Sequence, residues 1–83
     1  MRLEYFTAPW CQPCKTFGPI VEKVNHFKPG LIEKIDIQKN PERLPNDVLG
    51  IPTVIMYNGN TEVARFSGAK SESELLDWIS VNG

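Results

Sequence analysis

The chain has 83 residues, 41% of them hydrophobic, with two Trp, two Tyr and four Phe. That is enough for one small core and a single domain over residues 1–83. Nine Lys and Arg against ten Asp and Glu leave a net charge of -1 with no basic run, which argues against nucleic-acid binding by phosphate neutralisation. No apolar stretch approaches the roughly 20 residues needed to span a bilayer. Met1-Arg2-Leu3-Glu4-Tyr5, with its early acid and no long apolar region, does not read as a secretory signal. A cytoplasmic protein that contacts neither membrane nor nucleic acid is the expectation.

Arg2 to Thr7 carries two aromatics and stops at Ala8-Pro9, which predicts a strand entering a turn. From Gln12 onward Phe17, Ile20, Val21, Val24 and Phe27 fall at helical spacing. Pro13 belongs in the first turn of that helix, Pro19 kinks its interior, and Pro29-Gly30 ends it. Leu31 to Ile37 is β-branched and partly alternating, a second strand. Asn40-Pro41 predicts the cap of a short helix carrying Leu44 and Val48. Thr53 to Tyr57 reads as an interior strand, turned at Asn58-Gly59 and returning through Thr61 to Phe66. Ser71-Glu72-Ser73-Glu74 is a capping box opening a last helix, with Leu75, Leu76, Trp78 and Ile79 on its buried side. The order β-α-β-α-β-β-α predicts an α/β fold: a four-stranded mixed sheet flanked by helices. Its first two strands are parallel through a right-handed crossover, and its last two form a hairpin.

The chemistry-bearing residues are the only two cysteines, Cys11 and Cys14. A bridge over two intervening residues closes almost no loop, so it removes little unfolded-state entropy; its use is chemical. The pair falls where a strand gives way to a helix, and free N–H groups at a helix start favour a thiolate at Cys11 over the ordinary thiol. Cys14, one turn further in, is expected to be more buried and within disulfide reach. This arrangement suits attack by Cys11 on a disulfide and resolution by Cys14. Pro13 stiffens the turn between them. A structural zinc site needs four ligands and only His26 is near, so no metal is expected; a purely structural cysteine pair is the plain alternative.

Trp10-Cys11-Gln12-Pro13-Cys14-Lys15 differs from the usual W-C-G-P-C-K of thioredoxins only at Gln12. Gly50-Ile51-Pro52-Thr53 matches that family's G-I-P-T, whose proline is cis and faces the cysteines. Asn58-Gly59 and Gly68-Ala69 match its hairpin turn and a glycine-containing loop beside the active site, and Pro19 its helix-kinking proline. Over nearly its whole length the sequence resembles a thioredoxin. The resemblance implies a thioredoxin-like fold and a protein-disulfide reductase working by dithiol exchange through Cys11 and Cys14. No cofactor would be bound beyond the redox-active disulfide, and NADPH would act only upstream, through a thioredoxin reductase. Partners would be disulfide-containing proteins, met by a monomer through Trp10, Pro13, Ile51, Pro52, Gly68 and Ala69, with the Ile51 backbone pairing to an extended substrate segment.

Two departures from the pattern stand out. The sequence starts directly in the strand that feeds the cysteines, without the additional strand and helix usual in the family. Leu31 to Ile37 is then a sheet edge, where pairing to a second copy is the alternative to a monomer. Tyr5 stands where the family carries a buried Asp that helps deprotonate the second cysteine. A phenol with a pKa near 10 does not do this at neutral pH, and Glu4 should face the other side of the sheet. Lys34 occupies the family's buried-lysine position. Two competing functions are a glutaredoxin-like protein reduced by glutathione, whose usual C-P-Y-C the motif does not match, and a non-catalytic module docking partners through Trp10 and Ile51.

Overall fold

The computed structural model describes residues 1–83 and begins with strand β1 (Arg2–Thr7), followed by helix α1 (Gln12–Phe27) and strand β2 (Ile32–Asp36). A 3-10 turn at Pro41–Arg43 leads to β3 (Thr53–Asn58), β4 (Thr61–Ser67) and helix α2 (Glu72–Asn82). The sheet order is β2-β1-β3-β4. β1 and β2 are parallel, joined by α1, while β1–β3 and β3–β4 are antiparallel. β2 is therefore an edge strand, as its place in the sequence predicts.

Alternation along β1 divides the molecule into two packed layers. Leu3 and Tyr5 point to one face and meet Phe17, Val21 and Val24 of α1, Val54 and Met56 of β3, and Leu75 and Ile79 of α2. Both helices thus pack on the same face of the sheet. Four rings tie this layer together in edge-on contacts: Tyr5 to Phe17 at 5.6 Å, Phe17 to Phe66 at 6.0 Å, and Phe66 to Trp78 at 4.7 Å. On the other face Phe6, Ile35, Val48 and Ile55 form a smaller cluster, packed against Leu44, Ile51 and Tyr57. Glu4 lies on this second side, paired with Arg2 at 2.7 Å and Arg43 at 3.3 Å, and Arg43 also reaches Glu33. Such surface pairs contribute little individually; their effect is to occupy a sheet face that no helix covers.

Four local expectations change. The helix expected after Asn40 is a single 3-10 turn, because Leu44 precedes Pro45 and is extended at φ -76, ψ 119, as the proline ring demands. Leu44 and Val48 still serve the core, from an irregular segment. In the hairpin Asn58 pairs with Thr61, so the connecting residues are Gly59 and Asn60 rather than Asn58 and Gly59. Only Gly59 has a positive φ, 62°, which fits a turn with glycine at its first central position. Phe27 and Leu76 are exposed. Phe27 is the last residue of α1 and meets the neighbouring His26 ring edge-on; Leu76 is turned away from the Leu75–Ile79 stripe by the helical 100° step.

The capping box forms as the sequence predicts: Glu74 N–H donates to Ser71 Oγ at 3.2 Å, and Ser71 N–H donates to Glu74 Oε1 at 2.8 Å. The Ser71 backbone N–H, then its hydroxyl, hold the Glu74 carboxyl below its ordinary value. A depressed carboxyl adds stability above its unfolded pKa and loses it as pH falls through the folded value. Ser71→Ala should cost about 1 kcal/mol at neutral pH, lowering Tm by roughly 4–8 °C. The difference from the parent should shrink in acid, as thermal melts across pH will show.

Candidate active site

The end of β1 and the start of α1 are joined by a tight turn in which Cys11 N–H donates to Ala8 O at 3.2 Å. Pro9 and Trp10 occupy its tip, and Trp10 is 66% exposed. Cys11 is the N-cap of α1, with φ -85 and ψ 114, and its side chain accepts from Cys14 N–H at 3.3 Å. Sulfur thus stands where a capping serine or aspartate oxygen usually does. Negative charge on Cys11 Sγ would meet a free N–H and the positive end of the helix dipole, the conditions that make a thiol reactive. Cys11 and Cys14 are joined as a disulfide, their Cα atoms 5.2 Å apart.

Burial does not separate the two cysteines, contrary to expectation: they are 5% and 4% exposed. What they face does. Cys11 opens on a groove of about 440 Å3 between the active-site turn (Trp10, Gln12, Pro13) and the segment carrying Leu44, Val48, Leu49 and Ile51. Apart from Cys11, nothing that lines this groove is ionisable. Cys14 opens instead on a polar cavity of about 310 Å3 behind the disulfide, shared with Thr7, Lys15, Glu22, Lys34 and Asp36.

Ile51 O lies 3.7 Å from Cys11 Sγ. The Ile51–Pro52 bond is cis, and Pro52 is buried. Pro52 O accepts from Gly68 N–H at 2.8 Å, and Thr53 Oγ1 donates to Gly50 O at 2.6 Å. These bonds pin the loop beside the cysteines to both strands of the hairpin. Gly68 has φ +91 and open space where a Cβ would sit, so the backbone conformation, rather than crowding, calls for glycine there.

Of the residues singled out from sequence, Trp10, Pro13 and Ile51 line the groove with Cys11. Pro52, Gly68 and the exposed Ala69 form the adjoining loops without lining it. Leu44, Val48 and Leu49 also line the groove; the sequence places Leu44 and Val48 only on a short helix, and nothing in it singles out Leu49. Leu49 is 95% exposed, and only the folded path of this segment brings it to the groove. Tyr5 is fully buried, its hydroxyl donating to Thr7 Oγ1 at 3.2 Å. Burial pushes the phenol above its ordinary value; the Thr7 hydrogen bond opposes this and the Glu22 charge adds to it. Lys34 is exposed rather than buried, because β2 is an edge strand with no further strand beside it. His26 is exposed in the last turn of α1. No three His, Cys, Asp or Glu side chains are grouped as a metal site would need, and no helix is long and apolar enough to cross a membrane.

A family model described as thioredoxin matches residues 2–81. The thioredoxin of Buchnera aphidicola subsp. Schizaphis graminum is 35% identical over 80 residues, covering 93% of this chain and 74% of that protein. A bifunctional thioredoxin reductase/thioredoxin of Mycobacterium leprae is 36% identical over 78 residues, 90% of this chain and 17% of that one. Among solved structures, Fasciola hepatica thioredoxin superimposes with a TM-score of 0.85 at 34% identity, covering 99% of this chain and 82% of the other.

Proposed function

The chain belongs to the thioredoxin family, and from that premise we propose that Cys11 attacks substrate disulfides and Cys14 resolves them. The protein is a thiol–disulfide oxidoreductase, a protein-disulfide reductase whose redox centre is the Cys11–Cys14 pair. The observation that carries the division of roles is the Cys11 sulfur: it caps α1 and opens on the uncharged groove, while Cys14 lies behind it.

In the reduced protein the Cys11 thiolate attacks one sulfur of a substrate disulfide. A Cys11–substrate bond forms, the substrate S–S bond breaks, and the first substrate thiolate leaves. Cys14 loses its proton and attacks Cys11 Sγ, forming the Cys11–Cys14 bond and releasing the second substrate thiolate. The substrate gains two electrons, which the cysteine pair loses. Trp10, Pro13 and Ile51 receive the apolar residues flanking the substrate cysteine. The loops at Pro52, Gly68 and Ala69 border the same contact, with extended substrate running beside the Ile51 backbone.

The electron donor in this reading is a thioredoxin reductase, a choice supported by the Mycobacterium leprae relative whose name joins the two activities; the setting is the cytoplasm and the working unit a monomer. Insulin reduction tests it. Turnover is expected with thioredoxin reductase and NADPH and not with glutathione alone. Turnover with glutathione only would replace the donor, and turnover with neither would leave partner docking as the function.

A further inference from the structure

Resolution of the mixed disulfide requires Cys14 to lose a proton, and Tyr5, the buried phenol on β1, cannot accept it. The phenol is already protonated, and burial keeps it so. The groups that face Cys14 lie instead around the polar cavity behind the disulfide: Lys15 and Glu22 from α1, Lys34 and Asp36 from β2, and the Thr7 hydroxyl from β1, itself bonded to Tyr5. None of the four charged side chains takes part in an ion pair. At about 310 Å3 the cavity has room for several water molecules among polar partners.

We propose that Asp36 accepts the Cys14 proton through water in this cavity when the mixed disulfide resolves, an assignment that rests on Cys14 being the resolving thiol. Position separates Asp36 from Glu22. Asp36 is paired in register with Thr7, where β1 runs out into the cysteine turn, and Ile37 N–H bonds Thr7 O at 2.9 Å. Glu22 lies eight residues beyond Cys14 on α1, about 12 Å along the axis, at the level where its charge acts on Tyr5. Lys15 and Lys34, as ammonium groups, have no site for a further proton. The Asp36 carboxylate is also held in place: Oδ1 accepts from Gln38 N–H at 2.8 Å and Lys39 N–H at 3.4 Å. No protein group is bonded to Oδ2. In the step, the Cys14 S–H bond breaks and its electron pair makes the Cys14–Cys11 bond. The Cys11–substrate bond breaks with the leaving thiolate taking its pair, and the proton passes through water to the carboxylate.

Asp36→Asn is the informative substitution because the amide oxygen keeps both turn hydrogen bonds while the proton-accepting charge is lost. The two possible roles also differ in sign. A carboxylate acting only as a negative neighbour disfavours the Cys14 thiolate, so its removal would speed resolution. Removal of a proton acceptor slows it. Reduced protein is mixed rapidly with equimolar dithiobis(nitrobenzoate). The first thionitrobenzoate released reports attack by Cys11; the second, in a phase independent of concentration, reports resolution by Cys14. With Asp36→Asn the second phase should be at least about tenfold slower near pH 6.5 and should converge on the parent near pH 9, where hydroxide removes the proton without help. The first phase should be unchanged. Glu22→Gln should match the parent in both phases. An Asp36→Asn second phase that matches or exceeds the parent at low pH overturns the proposal. An equal loss in Glu22→Gln, or a slowing that is the same at every pH, does so too. Asp36→Ser, whose hydroxyl can also accept the turn bonds, repeats the measurement should the amide variant fold poorly. Cys14→Ser guards the underlying reading: it should release one equivalent only, and a persistent second phase would refute Cys14 as the resolving thiol whatever Asp36 does.

Discussion

A Cys11→Ser protein should retain its fold and lose disulfide reduction by on the order of 1,000-fold or more. Serine is itself a good N-cap, so Cys14 N–H, now bonded to Cys11 Sγ, keeps an acceptor and α1 its start. The lost bridge spans a sequence separation of three and closes too short a loop to matter much for stability. What disappears is the thiolate, because the capping N–H and the helix dipole cannot ionise an alcohol at neutral pH. Cys14→Ser should fail differently. Cys11 still attacks, no second thiol resolves the product, and the substrate remains covalently bound. Insulin reduction measures the first effect and mass spectrometry of the trapped adduct the second. Trapping on Cys14 in the Cys11→Ser protein, with none on Cys11 in Cys14→Ser, would reverse the assignment.

Phe17→Ala should produce the largest loss of stability. Its ring is fully buried, packed edge-on against both Tyr5 and Phe66, and through Phe66 linked to Trp78 on α2. Truncation therefore removes a connection between α1, the sheet and α2 at once. A buried Phe→Ala change costs about 3–5 kcal/mol, set against a total of about 4–12 kcal/mol for a domain this size. Tm should fall by something like 15–30 °C. Leu76→Ala, on the exposed side of α2, should alter Tm by only a few degrees. Thermal melts of the two variants side by side would show whether the aromatic chain holds the layers together; similar losses in both would refute that account.

Periodicity and local chemistry carried most of the architecture. The alternation of β1, the stripe Phe17-Val21-Val24, the capping box at Ser71 and the strand-to-helix placement of Cys11 are properties of short segments, readable because neighbouring residues decide them. The hairpin shifted by one residue because pairing partners, which the turn alone does not name, set the register. The helix expected after Asn40 failed for a local reason that was present in the sequence, the proline at position 45. Its consequence was not legible: an irregular segment has no period, so nothing predicts where Leu44, Val48 and Leu49 come to rest. Only the folded chain carries them to the groove beside Cys11.

Tertiary structure likewise decided the two sides of the disulfide. Sequence spacing placed both sulfurs at the helix start and ranked them by depth, yet they are equally buried and differ in what surrounds them. The residues behind Cys14 come from β1, α1 and β2, and Asp36 enters through the parallel register with Thr7. That register depends on the α1 crossover and on which faces of β1 and β2 are apolar, and it pairs residues 29 positions apart with no common motif. The sequence by itself determined the reactive pair, the elements that present it and the family it belongs to. The polar surroundings of Cys14 and the shape of the groove beside Cys11 were decided by packing, because they depend on distances between segments that only the closed core defines.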